Sequence, residues 1–167
     1  MRDDPARLPR TANRTPRTDS VVLREVRPSD FEEMYRLDQV CFEPGIAYSR
    51  EDLWRFLAIA TADGVVAEAA GRIAGFAIGY RTSKRVARVV TLDVDPKRRR
   101  QGLGRDLLED LLGRFVRSGA REARLEVSVE NPGAIAFYES LGFRNRRRIR
   151  DYYGPGRDAR EMVRGLG

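Results

Sequence analysis

Residues Val89–Phe115, VVTLDVDPKRRRQGLGRDLLEDLLGRF, decide how the rest of the chain is read. The stretch opens on Val89, Val90, Thr91, Leu92 and Val94, a β-branched and apolar run that predicts a strand. It stops at Pro96, which has no backbone N–H to give to a ladder. A basic, glycine-containing turn follows. Leu103, Leu107, Leu108, Leu111, Leu112, Phe115 and Val116 then recur at helical spacing, which predicts an amphipathic helix with one stripe on a core and Arg105, Glu109 and Arg114 in water. Strand, glycine turn and helix in that order form an arrangement that binds phosphate. The first N–H groups of a helix lack partners within it and lie at the positive end of its dipole, and glycine lets an anion come close to them. Gly102 and Gly104 supply the access, and Lys97, Arg98, Arg99, Arg100 and Arg105 the charge.

Two familiar phosphate loops are excluded by single residues. A Walker A loop needs Lys and then Ser or Thr after its last glycine, where this chain has Arg105 and Asp106; the dinucleotide fingerprint needs a third glycine, which is missing. The pattern that remains is Arg99-x-x-Gly102-x-Gly104. Its bland alternative is a solvated basic turn or a nucleic-acid patch.

Composition limits the chemistry further. The 167 residues suit one domain with a proper core. No run approaches a membrane span and no signal segment opens the chain, so the expected setting is soluble and cytoplasmic. The single cysteine, Cys41, allows neither an intrachain disulfide nor a cysteine zinc cage. The absence of histidine removes Ser-His and Cys-His nucleophilic sites and histidine-bound metals, leaving Glu, Asp, Tyr or water to move protons. Against 25 Asp and Glu stand 32 Lys and Arg, a net charge of +7, concentrated in the N-terminal segment, in the glycine turn and in Arg144–Arg150. That charge favours polyanionic partners, a phosphorylated cofactor or nucleic acid alike.

Residues 1–20, rich in Pro and Arg and nearly free of apolar side chains, read as a disordered extension, with residues 21–167 as the folded domain. A first strand is expected at Val21–Val26. Ser29 and Glu32 form a capping-box pattern that would open a helix carrying Phe31, Met34, Tyr35, Leu37 and Val40. Ser49 reads as the cap of a second helix through Leu53, Trp54, Phe56 and Leu57, and these two helices could wall a substrate site or simply pack. Val65–Ala69, Ile73–Tyr80 and Arg85–Val94 predict three successive antiparallel strands. Past the central helix, Ala123–Glu130 alternates, with Leu125, Val127 and Val129 on one face and Glu126, Ser128 and Glu130 on the other. Asn131 and Pro132 form a favoured helix start, Gly142 a stop, and Phe143–Leu166 a closing pair of strands around Gly154-Pro155-Gly156.

The second informative stretch is Asn131–Phe143, NPGAIAFYESLGF. Together with Arg99-x-x-Gly102-x-Gly104 and the strand between them, it resembles the signature of the GNAT superfamily of acyl-CoA-dependent N-acyltransferases. The nearest branch is the bacterial ribosomal-protein-alanine N-acetyltransferases, which share the Leu-Glu-Val strand before Asn, the Tyr-Glu-Ser-Leu-Gly-Phe block and a late Tyr-Tyr followed by Asp-Ala. The resemblance runs from Val21 to about Met162. It implies an α/β (α+β) fold with a mixed, mostly antiparallel sheet flanked by helices and splayed between the strand ending at Val94 and the one beginning near Ala123. It implies acetyl-CoA as acyl donor and no metal, with Leu92, Asp93 and Val94 pairing with the pantetheine arm. Arg99, Arg100, Gln101, Gly102, Leu103, Gly104 and Arg105 would cradle the pyrophosphate, and Asn131 would bond the cofactor near its reactive end.

Glu126 matches the general base of that branch and Tyr138 its general acid. A carboxylate, directly or through water, is a natural proton acceptor in a chain without histidine, and Asp93 and Glu130 compete with Glu126 for that role. Cys41, at the end of an amphipathic helix, reads as a structural thiol. The implied acceptor is a primary amine, most simply a protein N-terminus, with a lysine side chain or a small amine as alternatives. Two segments depart from the branch: Pro44–Ser49 replaces its Pro-Trp-Ser, and Asp158–Met162 carries charges where it is apolar. A basic acceptor peptide would be accepted only if Glu43, Glu51, Asp52, Glu126 and Glu161 made the groove acidic. A silent acyl-CoA sensor and a nucleic-acid module are the rivals from other classes. Neither a membrane nor a nucleic-acid partner is expected, and the chain would be a monomer or a homodimer.

Overall fold

A computed structural model describes residues 20–167; the expected N-terminal extension, apart from Ser20, lies outside the described residues. Seven strands and four helices follow in the order β1 (Val21–Glu25), α1 (Phe31–Cys41), α2 (Arg50–Leu57), β2 (Ala62–Ala69), β3 (Arg72–Arg81), β4 (Val86–Val94), α3 (Leu103–Arg117), β5 (Glu122–Ser128), α4 (Pro132–Ser140), β6 (Arg144–Ile149) and β7 (Ala159–Gly165). They build one sheet in the order β1-β2-β3-β4-β5-β7-β6. Every neighbouring pair is antiparallel except β4 and β5. This is the mixed, mostly antiparallel architecture expected.

Two apolar clusters hold the sheet from its two faces. On one, Leu107, Leu108, Leu111 and Phe115 of α3 pack on Val65, Ala77, Val89 and Leu125. All six apolar residues expected inside between Leu103 and Phe115 are buried there. On the other face, Met34 and Leu37 of α1 and Leu53 of α2 pack on Val66, Phe76 and Ile78.

The parallel pair is brief. β4 and β5 meet only at Val86–Arg88 and Glu122–Arg124, then separate. β5 turns instead to β7, which pairs with it along its whole length. The final strands form the expected antiparallel pair, with β7 entering the sheet between β5 and β6, and arginine-rich β6 becomes the edge, where charged side chains discourage pairing with another chain.

Four local expectations are corrected. The expected Ser29–Glu32 box does not open α1: its entry is a 3-10 turn, Pro28–Asp30, in which the Arg27 N–H donates to Asp30 Oδ2 at 2.7 Å, and Asp30 stands at the N-cap of α1. Val40 is 66% exposed because the buried stripe of α1 runs through Met34, Leu37 and Asp38. Trp54 is exposed too, set edge-on against Phe31. β5 ends at Ser128, not Glu130, since Val129 and Glu130 belong to the turn that leads to α4.

Candidate active site

The opening between β4 and β5 is where the sequence motifs converge. At its edge lies the loop after β4, and Gly102 at the start of α3 has φ +83, a left-handed conformation that favours glycine. Among the described residues no side chain caps α3. Its first intrahelical bond runs from Asp106 N to Gly102 O at 3.1 Å, so the N–H groups of the preceding turn are left for an anion. A Cβ on Gly102 would meet nothing within 4 Å, which leaves that approach open. Gly104 is seated between Val94 and Phe137. Arg99, Arg100, Gln101 and Arg105 are exposed around this turn, whereas Leu103 is buried and anchors it. The expected cradle residues are therefore adjacent in space as well as in sequence.

β4 forms one wall. Its pairing with β3 shifts register at Ile78 and Gly79, which meet Thr91 and Val89 and leave Val90 as a bulge. The extra residue reverses the alternation. Ala87 and Val89 face α3 before it, and Leu92 and Val94 take that face after it. The Tyr48 hydroxyl donates to the bulged Val90 carbonyl at 3.2 Å. Beyond the bulge, Asp93 is fully buried and accepts from Thr91 Oγ1 at 2.5 Å. Its carboxyl is thus withdrawn from solvent. The Val94 carbonyl is already engaged, accepting from Cys41 Sγ at 3.4 Å and Arg99 Nε at 3.3 Å. Burial first, and the neighbouring Asp93 second, push the Cys41 thiol up to about 11, so it stays protonated at neutral pH.

Opposite stands β5 with Glu126, whose side chain is 12% exposed. The partner considered from sequence, Arg124, is bound to Glu122; Glu126 is instead paired with Arg88 of β4 at 3.0 Å. Arg88 also donates to the hydroxyls of Tyr80, at 3.3 Å, and of Tyr152. Tyr153 donates to the Glu126 carbonyl at 3.4 Å and stacks edge-on with Tyr152. An aromatic and ionic cluster therefore bridges the point where the strands part. Glu130, the other base candidate, is exposed in the turn beyond β5.

α4 supplies the remaining side chains. Asn131 caps it, its Oδ1 accepting from the Ala134 N–H at 3.0 Å, which leaves the amide NH2 for a ligand. Tyr138 is half-buried between Phe137 and Phe143. Burial, and then the Asp93 carboxyl, push its phenol above the ordinary tyrosine value. Tyr153 has both Tyr138 and Glu126 as electrostatic neighbours.

Comparison with known proteins agrees with this geometry. Residues 31–143 match the model of the acetyltransferase (GNAT) family. The chain belongs to the GNAT acetyltransferase family. Over 91 residues, 54% of the chain, it is 45% identical to the ribosomal protein bS18-alanine N-acetyltransferase of Escherichia coli, and the match spans 60% of that relative's length. The crystal structure of the E. coli ribosomal-protein-S18-alanine N-acetyltransferase superposes with a TM-score of 0.78 at 29% identity, covering 89% of this chain and 95% of that one. Ard1 from Thermoplasma volcanium superposes with a TM-score of 0.79 at 28% identity, covering 87% and 97%.

Within this GNAT site, sequence reasoning missed Arg88 and Tyr80. The signal was present, since Arg88 stands as a charged residue in the apolar first half of β4, but its partner lies 38 residues away. Each carboxylate expected to make the groove acidic has an arginine partner among the described residues. Glu43 is paired with Arg157, Glu51 and Asp52 with Arg55, Glu126 with Arg88, and Glu161 with Arg146 and Arg147. Burial raises the Glu161 carboxyl, yet the two arginines outweigh it and hold it below its usual value. Three arginines of the basic run in β6 are thereby committed to Glu161 and Asp158. Among the described residues no cluster of His, Cys, Asp and Glu could hold a metal ion, and no helix is long and apolar enough to cross a membrane.

Proposed function

We propose that this chain is an N-acetyltransferase that moves the acetyl group of acetyl-CoA to a primary amine, and that the amine is a protein N-terminus. The observation that carries the reading is the opening between β4 and β5 beside the uncapped start of α3, with Glu126 on β5 and Tyr138 on α4. The pyrophosphate would rest on the N–H groups near Gly102 and Gly104, among Arg99, Arg100, Gln101, Leu103 and Arg105. The pantetheine would lie along Leu92–Val94 and against Asn131. The name of the E. coli relative supports an N-terminal acceptor.

Acetyl-CoA supplies an activated thioester. Glu126, directly or through one water, takes a proton from the acceptor ammonium. The freed amine forms the C–N bond at the thioester carbon and the C–S bond breaks. Tyr138, kept neutral by its burial, gives its proton to the departing sulfur, and the second proton that the new amide nitrogen sheds restores the phenol, so that one net proton leaves through Glu126. Arg88 holds the Glu126 carboxylate in place during this exchange, and the acceptor's ammonium competes with that guanidinium for it. Because the nearby carboxylates are already matched by arginines, the acceptor following its first residue should be neutral or acidic, not basic.

The test is acetyl transfer to peptides beginning with Ala, Ser or Met and carrying Glu, Ser or Lys at the next two positions, beside polyamines and aminoglycosides. Glu126→Gln and Tyr138→Phe should each lower kcat by about 10²–10⁴ without abolishing acetyl-CoA binding. Turnover confined to the small amines would overturn the acceptor assignment. Unchanged kcat in both variants would overturn the catalytic one.

A further inference from the structure

The bulge at Val90 has a second effect: it turns Thr91 and Asp93 away from α3. Asp38 on α1 is fully buried, as is Asp93. Their carboxyl groups are within hydrogen-bonding range of each other. One oxygen of each is satisfied. Asp38 Oδ2 accepts from the Tyr48 N–H at 2.8 Å and from Gln39 Nε2 at 3.1 Å, and Asp93 Oδ1 accepts from Thr91 Oγ1. The other oxygens, Asp38 Oδ1 and Asp93 Oδ2, are buried and meet no donor among the described residues. As two carboxylates they would be two acceptors facing each other in a dry interior, where burial and like charge both oppose ionisation. A single proton satisfies both.

We propose that Asp38 and Asp93 share one proton at neutral pH, and that this bond is a positioning device tying the α1–α2 loop to the strand that takes the acyl donor. Asp38 holds the backbone of Tyr48, whose hydroxyl reaches the Val90 carbonyl, so a bond between the two aspartates closes a continuous link from the loop to β4. Asp38 and Asp93 are positioning residues, since both side chains are fully buried and act through the loop and the strand that they join. The groups that face the pair are Gln39 and Cys41 on α1, Tyr48 in the loop, Thr91 on β4, Tyr138 on α4 and Arg99 after β4. Arg99 is the only cation in that set and is exposed to solvent, so it compensates a second negative charge weakly. Desolvation first, then the facing Asp38, raises Asp93, and desolvation raises Asp38, so the pair keeps its proton well above the usual carboxylate range.

The sign follows. Unfolded aspartates titrate at about 3.9, below the folded pair. The stabilisation is therefore complete at acid pH and is lost as the pH rises through the folded value, when a second charge appears between α1 and β4. The consequence for catalysis rests on the acetyltransferase reading. The loop loosens at alkaline pH and the acceptor KM rises.

Asp93→Asn separates this bond from mere packing, because its amide N–H donates to Asp38 at every pH. Two measurements need no substrate. Infrared spectroscopy of the wild type with ¹³C-labelled aspartate should show a protonated carboxyl at pH 7, absent from Asp93→Asn. Hydrogen exchange, corrected for intrinsic rate, should show Tyr48 amide protection falling at least tenfold between pH 6 and 9 in the wild type, remaining flat in Asp93→Asn, and low throughout in Asp93→Ala. The acceptor KM should follow the same pattern. A wild type without the carboxyl band, or an Asp93→Asn profile as steep as the wild type's, would overturn the proposal. A protein that shows the band and the exchange pattern but transfers no acetyl group would sustain the pair and remove the functional reading instead.

Discussion

Gly102 and Gly104 stand two residues apart in the same turn, yet replacing each with alanine should have different consequences for stability. Gly102 lies at φ +83, and an added Cβ would meet nothing within 4 Å. The penalty is purely conformational, about 1–2 kcal/mol for an L-residue in the left-handed region. For a chain of this size that amounts to a midpoint about 2–8 °C lower. Gly104 is the second residue of α3 and lies outside the positive-φ positions. Its added Cβ would sit 3.4 Å from Phe137 Cζ and 3.6 Å from Val94 Cγ2, within or at the edge of ordinary contact. Replacing a helical glycine recovers up to about 1 kcal/mol, less in a first turn, and the Phe137 contact offsets part of it. Gly104→Ala should therefore stay within about 0.5 kcal/mol of the wild type or gain slightly. Thermal unfolding by circular dichroism at pH 7, without ligand, compares the two directly. A Gly104→Ala midpoint below that of Gly102→Ala would mean that space, not backbone conformation, governs this turn, and the account of the cradle would fail.

Two further outcomes follow from buried polar groups. Asp30 accepts both terminal guanidinium nitrogens of Arg24 and the Arg27 N–H, and the Arg24 hydrogen bond, outweighing burial, holds its carboxyl below the usual range. Asp30→Ala should cost about 1.5–3 kcal/mol at pH 7 by urea unfolding. This contribution is complete above ~4, the unfolded value, and disappears as pH falls through the folded one, so a deficit that does not shrink in acid would count against an ionic origin. Cys41, raised to about 11 by burial and Asp93, should react with a disulfide reagent at pH 7.5 much faster in urea than in buffer; equal rates would contradict its placement under Val94.

Sequence periodicity was sufficient where the controlling interactions are local. The apolar spacing of α3 placed Leu103, Leu107, Leu108, Leu111, Leu112 and Phe115 in the core, and Ser49 and Asn131 cap α2 and α4 through side-chain oxygens within three residues. A helix stripe and a cap are properties of neighbours, so one sequence window contains them. The same reasoning failed at Ser29, where the buried Asp30 engaged by Arg24 of β1 took over the turn. It failed at Val40 because tertiary packing chose the face of α1 that meets β3, and that face includes a charged residue, Asp38.

The chain alone carried the order of its motifs, the glycine turn between a strand and a helix, and the strand and helix on which Glu126 and Tyr138 lie. Which groups surround them was decided by long-range assembly. The Val90 bulge sets whether Asp93 faces α3 or α1, the brief β4–β5 pairing brings Arg88 to Glu126, and the insertion of β7 brings Tyr153 to the Glu126 carbonyl. Asp38 and Asp93 are 55 positions apart, and nothing in either neighbourhood marks them as partners. Periodicity reports the face a residue takes only while the alternation is unbroken. One extra residue in a strand reverses it, and the energy that decides where the bulge falls comes from packing against elements distant in sequence.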